Sequence, residues 1–220
     1  MSSENRNILS KYENQSDDEI RNQVLLESFP YCIMTLNIHG CLNIGNMMRT
    51  ANLCGCRKFI IFGRRYYDKR SCVGTQNYIT HERIMGIAEE HKHTRSLTTV
   101  LQPDDYILDE NIFYNYIVDN HYLPIFVEQD STSVRATTDN ITCIVLEAKL
   151  MNLIPIFIFG NEHEGIPRNI LDIRSRFVNH YTIELDQLGA IRSHNVSCCC
   201  AILCYKIMEV FQVLTPTITC

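Results

Sequence analysis

The chain of 220 residues lacks the sequence signatures of several common enzyme classes. It contains no glycine-rich dinucleotide fingerprint, no phosphate-binding P-loop, no H-E-x-x-H helix and no G-x-S-x-G elbow. These absences argue against a common dinucleotide-binding fold, a P-loop enzyme and a zinc protease. The eleven cysteines include no C-x-x-C pair, so we predict no metal site and interpret the thiols as small buried hydrophobic side chains.

The chain also lacks an excess of positive charge. Its formal net charge is −5, whereas contacts with nucleic-acid phosphates normally need a basic face. Any RNA contact must therefore come from a local patch. The densest basic cluster lies beside Tyr66 and Tyr67 and consists of Arg64, Arg65, Lys69 and Arg70. This basic cluster is interpreted either as an RNA-binding patch or as a solvated loop.

A secretion signal and an apolar run of membrane-spanning length are both missing from the sequence. We therefore expect a cytoplasmic or other reducing intracellular location and no membrane partner. Residues 1–20 are rich in polar side chains and are expected to form a disordered tail. Residues 21–220 are then long enough for one substantial domain. The boundary is approximate, because a first short helix is expected over 18–26.

Short apolar runs alternate with segments of helical spacing along this domain. The runs that predict strands are 31–36, 58–62, 123–127, 155–159 and 181–185, and the segments that predict helices are 47–54, 107–118 and 141–153. This alternation is typical of an α/β domain with a mostly parallel sheet and helices on both faces.

The last predicted helix, 195–214, is almost entirely apolar. Beyond Tyr205 its polar side chains are Lys206, Glu209 and Gln212, which steps of three keep on one narrow stripe. The helix is therefore expected to be buried on most sides. One sheet covers one face of a helix, so the second face predicts either a partner subunit or a central helix of a monomer.

Three polar segments stand where predicted strands end or predicted helices begin. The first contains Asn43-x-Gly45-Asn46-x-x-Arg49, with Asn43 and Arg49 expected on a turn and the helix after it. The second is Gly160-x-Glu162-x-x-Gly165, in which the glycines allow the backbone to approach a ligand closely. The third is Ser193-x-Asn195-Val196-Ser197, which can cap the last helix or present polar groups to a ligand.

In this order the segments resemble the three motifs of the TrmH-like branch of the SPOUT RNA methyltransferases. The third segment is most similar to that of the eukaryotic tRNA guanosine 2′-O-methyltransferases, because Gly189-x-Ile191-Arg192-Ser193 precedes Asn195. The resemblance implies a SPOUT fold with a deep C-terminal trefoil knot, a homodimer, and S-adenosyl-L-methionine as cofactor, with S-adenosylhomocysteine as product.

The resemblance also implies the roles of individual residues. The implied cofactor-binding residues are Gly160, Asn161, Glu162, Gly165, Ile183, Leu185, Leu188, Ser193, His194 and Asn195. The implied catalytic residues are Arg49, Asn43, Glu162, Ser193 and Asn195. RNA contacts are expected from Arg49 and the basic cluster.

Arg49, contributed by the other subunit, is expected to act at the ribose 2′-hydroxyl. Because the pKa of a guanidinium exceeds about 12, we expect Arg49 to hold a phosphate and to stabilise developing alkoxide charge rather than to act as a base. Two positions depart from the family pattern: Asp186 replaces a proline and His194 a leucine. Both changes bear on cofactor affinity, and the two side chains are close enough in sequence to pair across their loop.

The sequence thus predicts an S-adenosylmethionine-dependent RNA 2′-O-ribose methyltransferase that acts on tRNA at a loop guanosine. The alternative is a catalytically silent member of the same fold that binds RNA or S-adenosylmethionine. This alternative is motivated by the acidic net charge and by the departures from the family pattern at Asp186 and His194.

Overall fold

The computed structural model describes residues 6–63, 66–87 and 107–215. Their strands form one seven-stranded sheet in the order β3-β2-β1-β6-β4-β7-β5, and each neighbouring pair is parallel. The strands are β1 (Phe29–Leu36), β2 (Cys56–Phe62), β3 (His81–Ile84), β4 (Tyr122–Val127), β5 (Val134–Arg135), β6 (Ile154–Phe159) and β7 (Tyr181–Glu184). The predicted parallel sheet is confirmed.

Helices cover both faces of this sheet, as predicted. The α-helices are α1 (Asp17–Glu27), α2 (Cys41–Leu53), α3 (Lys69–Cys72), α4 (Glu110–Asp119), α5 (Thr138–Leu150), α6 (Arg168–Asp172) and α7 (Val196–Leu214). One core cluster joins α2, α5 and α7 to the sheet, and a second joins α4 and α6 to the opposite face.

The central strands are apolar on both faces because both faces are covered. In β1, Tyr31 and Ile33 belong to the core beneath α2 and α7, whereas Cys32 and Met34 belong to the core beneath α4. All four side chains are buried. A strand buried on both faces becomes a continuous apolar run instead of an alternating one, which is the pattern in the sequence.

Strand β7 occupies an unusual place near one edge of the sheet. It pairs with β4 on one side and with β5 on the other, although β4 and β5 follow each other along the chain. The last strand therefore lies between two earlier segments that are joined by residues 128–133. Helix α7 then returns to β1, where Phe211 stacks on Phe29 and Tyr31.

The folded part of the chain begins earlier than the sequence analysis expects. Residues 6–16, assigned there to a disordered tail, contain a short 3-10 helix, and the Tyr12 side chain packs in a small core with Ile20 and Tyr78. The Arg6 guanidinium forms an ion pair with Asp17 at 3.1 Å and donates to two backbone carbonyls. We call residues 6–16 the N-terminal segment.

Helix α7 is buried on one side only, so the expectation that most of its sides are buried is wrong for the single chain. Its inner face lies in the core, but Ile202 and Tyr205 are 39% and 55% exposed. The helix has 19 residues with a mean hydropathy of 1.6, so it is long and apolar enough to cross a membrane, contrary to the sequence analysis. Core helices of soluble proteins have the same composition.

The cysteines of the described residues are all free thiols. Cys32, Cys56, Cys200 and others are buried among apolar side chains, as predicted, whereas Cys143 and Cys198 are exposed. Burial raises the pKa of Cys32 to about 12, so this thiol stays protonated and packs as a small hydrophobic group.

Candidate functional site

An open pocket lies at the carboxyl ends of β4, β6 and β7, where parallel sheets commonly hold ligands. It contains about 810 Å³ of empty space, including open solvent. The sequence-predicted residues that line it are Gly160, Asn161, Glu162, Gly165, Ile183, Leu185, Ser193 and His194. Two predicted cofactor-binding residues, Leu188 and Asn195, do not line the pocket: Leu188 is 99% exposed, because the loop after β7 turns it toward solvent, and Asn195 caps α7. We call this cavity the strand-end pocket.

The loop after β6 forms one wall of the strand-end pocket and is closed on itself. Asn161 and Gly165 exchange two backbone hydrogen bonds of 2.9 and 3.1 Å. The loop passes so close to its own start that a Cβ atom on Gly160 would lie 2.0 Å from the carbonyl carbon of Gly165. Glycine at position 160 is therefore required by a close backbone approach, which explains its place in the second motif.

Glu128, which the sequence analysis missed, supports this loop from β4. Its carboxylate accepts a hydrogen bond from the Ile166 N–H at 2.8 Å, and a Cβ atom on Gly165 would lie 2.3 Å from the same oxygen. Gly165 also has a φ of +72°, which favours glycine. No local pattern marks Glu128, because its partner is 38 residues away.

A chain of side-chain hydrogen bonds joins the three sequence motifs beside the pocket. The Asn43 Nδ2 atom donates to Glu162 Oε1 at 2.6 Å, and the Asn195 Nδ2 atom lies 3.4 Å from Asn43 Oδ1. Asn43 comes from the first motif, Glu162 from the second and Asn195 from the third. Residues separated by 119 and 152 positions thus meet at one point.

Glu162 also binds the backbone at the start of α2, where no local side chain caps the helix. Its carboxylate accepts hydrogen bonds from the backbone N–H groups of His39 and Gly40, both at 3.1 Å. Gly40 is the N-cap residue of α2 and has no side chain with which to cap the helix. Helix α2 consequently starts at Cys41, and Asn43 lies in its first turn, not on a preceding turn as the sequence analysis expects.

The ionised form of Glu162 is favoured by this arrangement. Burial opposes ionisation, but hydrogen bonds from Asn43 and from the N–H groups of His39 and Gly40 outweigh it, so the pKa of Glu162 lies below its ordinary value of 4.5. A carboxylate with four convergent donors, including its own backbone N–H, holds the loop after β6 against the start of α2.

We expect Glu162→Gln to reduce the fall in the free energy of unfolding that the wild-type protein shows as the pH is lowered. Because the folded-state pKa is lowered, the ionised carboxylate stabilises the fold above its ordinary pKa of 4.5, and this contribution is lost as the pH falls through the folded-state value. Urea unfolding between pH 3 and pH 7 measures the difference. Glu164→Gln, a change in the exposed neighbour, should keep the wild-type profile, and an unaltered profile in Glu162→Gln would contradict the assignment.

The third motif forms the start of α7. Asn195 Oδ1 accepts hydrogen bonds from the Ser197 N–H at 2.9 Å and the Ser197 hydroxyl at 2.7 Å, so Asn195 is the N-cap. The same side chain reaches Asn43 through its amide nitrogen. Capping and contact with the first motif are therefore combined in one residue, while the exposed Ser193 and His194 lie on the pocket wall.

The pairing of Asp186 with His194 considered above is replaced by another contact. Asp186 Oδ1 forms an ion pair with Arg135 Nε at 2.6 Å, because β5 runs beside β7 and brings Arg135 to the start of the same loop. Asp186 and Arg135 are both more than half exposed, so the pair contributes little to stability. His194 stays on the wall of the strand-end pocket.

The predicted basic residues are not gathered at the pocket within one protomer. Arg49 is exposed on α2, about 9 Å along the helix axis from Asn43, and lines a different cavity. Lys69 and Arg70 lie on α3, where Arg70 pairs with Asp68 at 2.6 Å and so loses part of its free positive charge. Arg64 and Arg65 lie outside the described residues.

Within residues 6–63, 66–87 and 107–215, no group of three or more His, Cys, Asp or Glu side chains is placed to bind a metal ion. The residues that line the strand-end pocket include four glutamates, Glu128, Glu162, Glu164 and Glu184, one arginine, Arg192, and apolar side chains such as Phe159 and Ile183, so acidic groups outnumber basic ones. Its chemistry therefore suits a ligand that is partly apolar and partly cationic.

The solved structures that this chain resembles include methyltransferases and a tRNA modifying enzyme. The A. aeolicus TrmH/SpoU tRNA modifying enzyme matches with a TM-score of 0.63 and 13% identity over 90% of this chain and 83% of that one. The chain shares the TrmH/SpoU fold. The SpoU methyltransferase AviRb from Streptomyces viridochromogenes, in complex with AdoMet, matches with a TM-score of 0.52 and 16% identity, over 86% of this chain and 59% of that one.

A probable methylase family protein from Haemophilus influenzae Rd KW20 gives a TM-score of 0.59 at 15% identity, over 86% of this chain and 69% of that one. No family model and no curated protein matches the sequence. The chain therefore has a recognised fold and a sequence that is far from those of its structural neighbours.

Proposed function

We propose that the chain is an S-adenosylmethionine-dependent RNA 2′-O-ribose methyltransferase of the TrmH family that modifies a loop guanosine of tRNA. The observation that carries this proposal is the hydrogen-bond chain Asn195–Asn43–Glu162, which joins all three motifs beside one pocket. The fold supports it, because the structural neighbours include a tRNA modifying enzyme and an RNA 2′-O ribose methyltransferase.

The strand-end pocket fits the cofactor that the resemblance implies. Apolar side chains of Phe159, Ile183 and Leu185 offer a surface for adenine, and the neighbouring carboxylates suit an ammonium and a sulfonium group. When bound, S-adenosylmethionine supplies a methyl group on positively charged sulfur for in-line transfer. The closed loop around Gly160 and the start of α7 fix the walls, so the chain contributes alignment more than acid or base chemistry.

Arg49 of the partner subunit would complete this pocket. Within one protomer Arg49 lines another cavity, so a second copy is the route by which its guanidinium reaches the ribose. There it holds the phosphate beside the reacting ribose and stabilises the developing alkoxide by charge-assisted hydrogen bonds. A guanidinium keeps its proton at neutral pH, so the 2′-hydroxyl proton passes to solvent or to a neighbouring side chain.

We also propose that the C-terminal part of the chain is knotted. The support is the place of β7, which lies between β4 and β5 although those strands are directly joined by residues 128–133. A strand that enters between two connected segments, followed by a helix that returns across the sheet to β1, is the geometry that threading of the C-terminus through a loop produces. Knots are otherwise nearly absent from proteins.

A direct test is the transfer of a labelled methyl group from S-adenosylmethionine to bulk tRNA and to rRNA, followed by nucleoside analysis. The expected product is 2′-O-methylguanosine from tRNA. Calorimetric binding of S-adenosylhomocysteine without methyl transfer to either RNA would favour the catalytically silent alternative. Absence of both would overturn the proposal.

The exposed apolar side chains of α7, such as Ile202, offer a test of the proposed dimer. We expect Ile202→Glu to convert a species of twice the 25.5 kDa chain mass into monomers, because a carboxylate on an apolar contact surface is costly to bury. Native mass measurement detects the change, and Val178→Glu, an exposed valine outside α7, is the matched control. Ile207 is fully buried in the protomer core, so a charge there would test folding instead. A wild-type mass of 25.5 kDa at micromolar concentration would contradict the dimer.

We propose a reducing intracellular compartment for this protein, with no membrane partner. The support is the large number of free thiols among the described residues, including Cys200 and Cys204, whose sulfur atoms share a hydrogen bond of 3.7 Å and form no disulfide. Helix α7 packs its inner face into the domain core, which is the behaviour of a core helix.

A further inference from the structure

A second cavity lies between the N-terminal segment, α1 and the C-terminal half of α2. It holds about 1220 Å³ of empty space, including open solvent, and shares no lining residue with the strand-end pocket. Its walls include Leu9, Lys11, Arg49, Asn52 and Leu53. We call it the N-terminal groove.

Two hydrogen-bond donors on α2 are left without protein partners in this groove. The Asn52 Nδ2 atom is buried, yet it has no hydrogen-bond partner among residues 6–63, 66–87 and 107–215. Arg49 precedes it by three positions on the same face of α2, is exposed, and forms no ion pair within those ranges. A buried donor without an acceptor is unfavourable, so the groove suits a ligand that brings acceptor oxygens and negative charge.

The N-terminal segment and α1 form another wall of the groove, which is partly apolar. Arg6 binds Asp17 and two backbone carbonyls, and Lys11 pairs with Glu27 at 2.9 Å, so the N-terminal segment is held firmly against α1. The ion pair cancels the charge of Lys11 and leaves Arg49 as the uncompensated charge of the groove. Leu9 and Leu53, both largely exposed, provide apolar side chains on the walls of the groove.

We propose that the N-terminal groove binds one RNA nucleotide next to the nucleotide that is methylated. Its phosphate oxygens accept hydrogen bonds from Arg49 and, after a rotation of the Asn52 side chain that brings the buried Nδ2 atom to the groove surface, from Asn52. Its base packs on Leu9 and Leu53. An anion alone would need only the donors, and an apolar ligand only the leucines; a nucleotide uses both. This inference rests on the proposed function, because Arg49 is there the residue that reaches the reacting ribose.

The test uses Asn52→Asp, which keeps the shape of the side chain and replaces its donors by a negative charge. We expect the affinity for bulk tRNA to fall about tenfold, and the slope of log affinity against log salt to decrease by about one. Binding of S-adenosylhomocysteine should stay close to wild type, because the groove shares no lining residue with the strand-end pocket. Asn22→Asp, the same change at an exposed position of α1 outside the groove, is the matched control.

A second variant, Leu9→Ser, guards against a folding defect at Asn52, because Leu9 is exposed. It should weaken tRNA binding several-fold without altering the salt slope. If wild type and Asn22→Asp bind tRNA equally and both groove variants bind it as well, the groove proposal is wrong even when methyl transfer occurs. If tRNA binding falls in both groove variants but the wild type transfers no methyl group, the groove stands and the proposed enzymatic activity fails. No tRNA binding by the wild type would overturn both.

Discussion

Arg49→Ala should lower methyl transfer about a hundredfold or more while S-adenosylhomocysteine binding stays nearly intact, because loss of one transition-state contact typically costs about 3 kcal/mol. The guanidinium lies outside the strand-end pocket of its own protomer, so its removal leaves that pocket unchanged. Single-turnover methyl transfer and calorimetry separate the two effects. Arg49→Lys should restore little, since an ammonium cannot reproduce a bidentate guanidinium.

The matched control for Arg49 is Arg168→Ala, which changes an exposed arginine on α6 that pairs with Asp172 and should keep wild-type activity. The pH profile then distinguishes two roles for Arg49. An arginine base would make the rate rise far into alkali, whereas a positioning role gives a profile set by the ribose hydroxyl and not by Arg49. Wild-type activity in Arg49→Ala would remove this residue from the mechanism.

Gly160→Ala should weaken S-adenosylhomocysteine binding about a hundredfold, because displacement of a binding element by about 1 Å has effects of this size. The added Cβ atom would lie 2.0 Å from the Gly165 carbonyl carbon and 2.1 Å from the Ile166 nitrogen, both backbone atoms, so the loop after β6 must open. Calorimetry measures the loss, and a lower thermal midpoint should accompany it.

Gly189→Ala is the control for this loop. Gly189 lies in the segment before α7, and a Cβ atom there would meet nothing within 4 Å. The variant should therefore bind S-adenosylhomocysteine as the wild type does. Equal affinity in Gly160→Ala would mean that the loop after β6 is not a wall of the cofactor site.

The sequence was sufficient for the parts of the fold that depend on burial. The runs that predict β1, β2, β4, β6 and β7 are short but apolar, and β1, β2, β4 and β6 lack alternation because they are covered on both faces. The edge strands β3 and β5 were missed: three of the four residues of His81–Ile84 are charged or polar, and Val134–Arg135 has only two residues. Short edge strands have one neighbour and little burial, so they leave no periodic signal.

The candidate site was predictable only where motifs mark it. Gly160, Glu162 and Asn195 were found because the resemblance identifies them, whereas Glu128 acts through a partner 38 residues away. The start of α2 was misplaced for the same reason, since its cap is the carboxylate of Glu162 and not a residue near Gly40. The N-terminal segment looks polar, yet one buried tyrosine, Tyr12, and the ion pairs of Arg6 and Lys11 hold it in place.

The insertion of β7 between β4 and β5 has a consequence for the order of folding during synthesis. Strands β4 and β5 leave the ribosome before β7, so the sheet cannot be completed until nearly the whole chain is available. Until then the hydrogen-bonding edge of β4 stays unpaired, and unpaired edges promote association with other chains. We therefore expect slow refolding from urea and a high tendency to aggregate when the chain is truncated before residue 181.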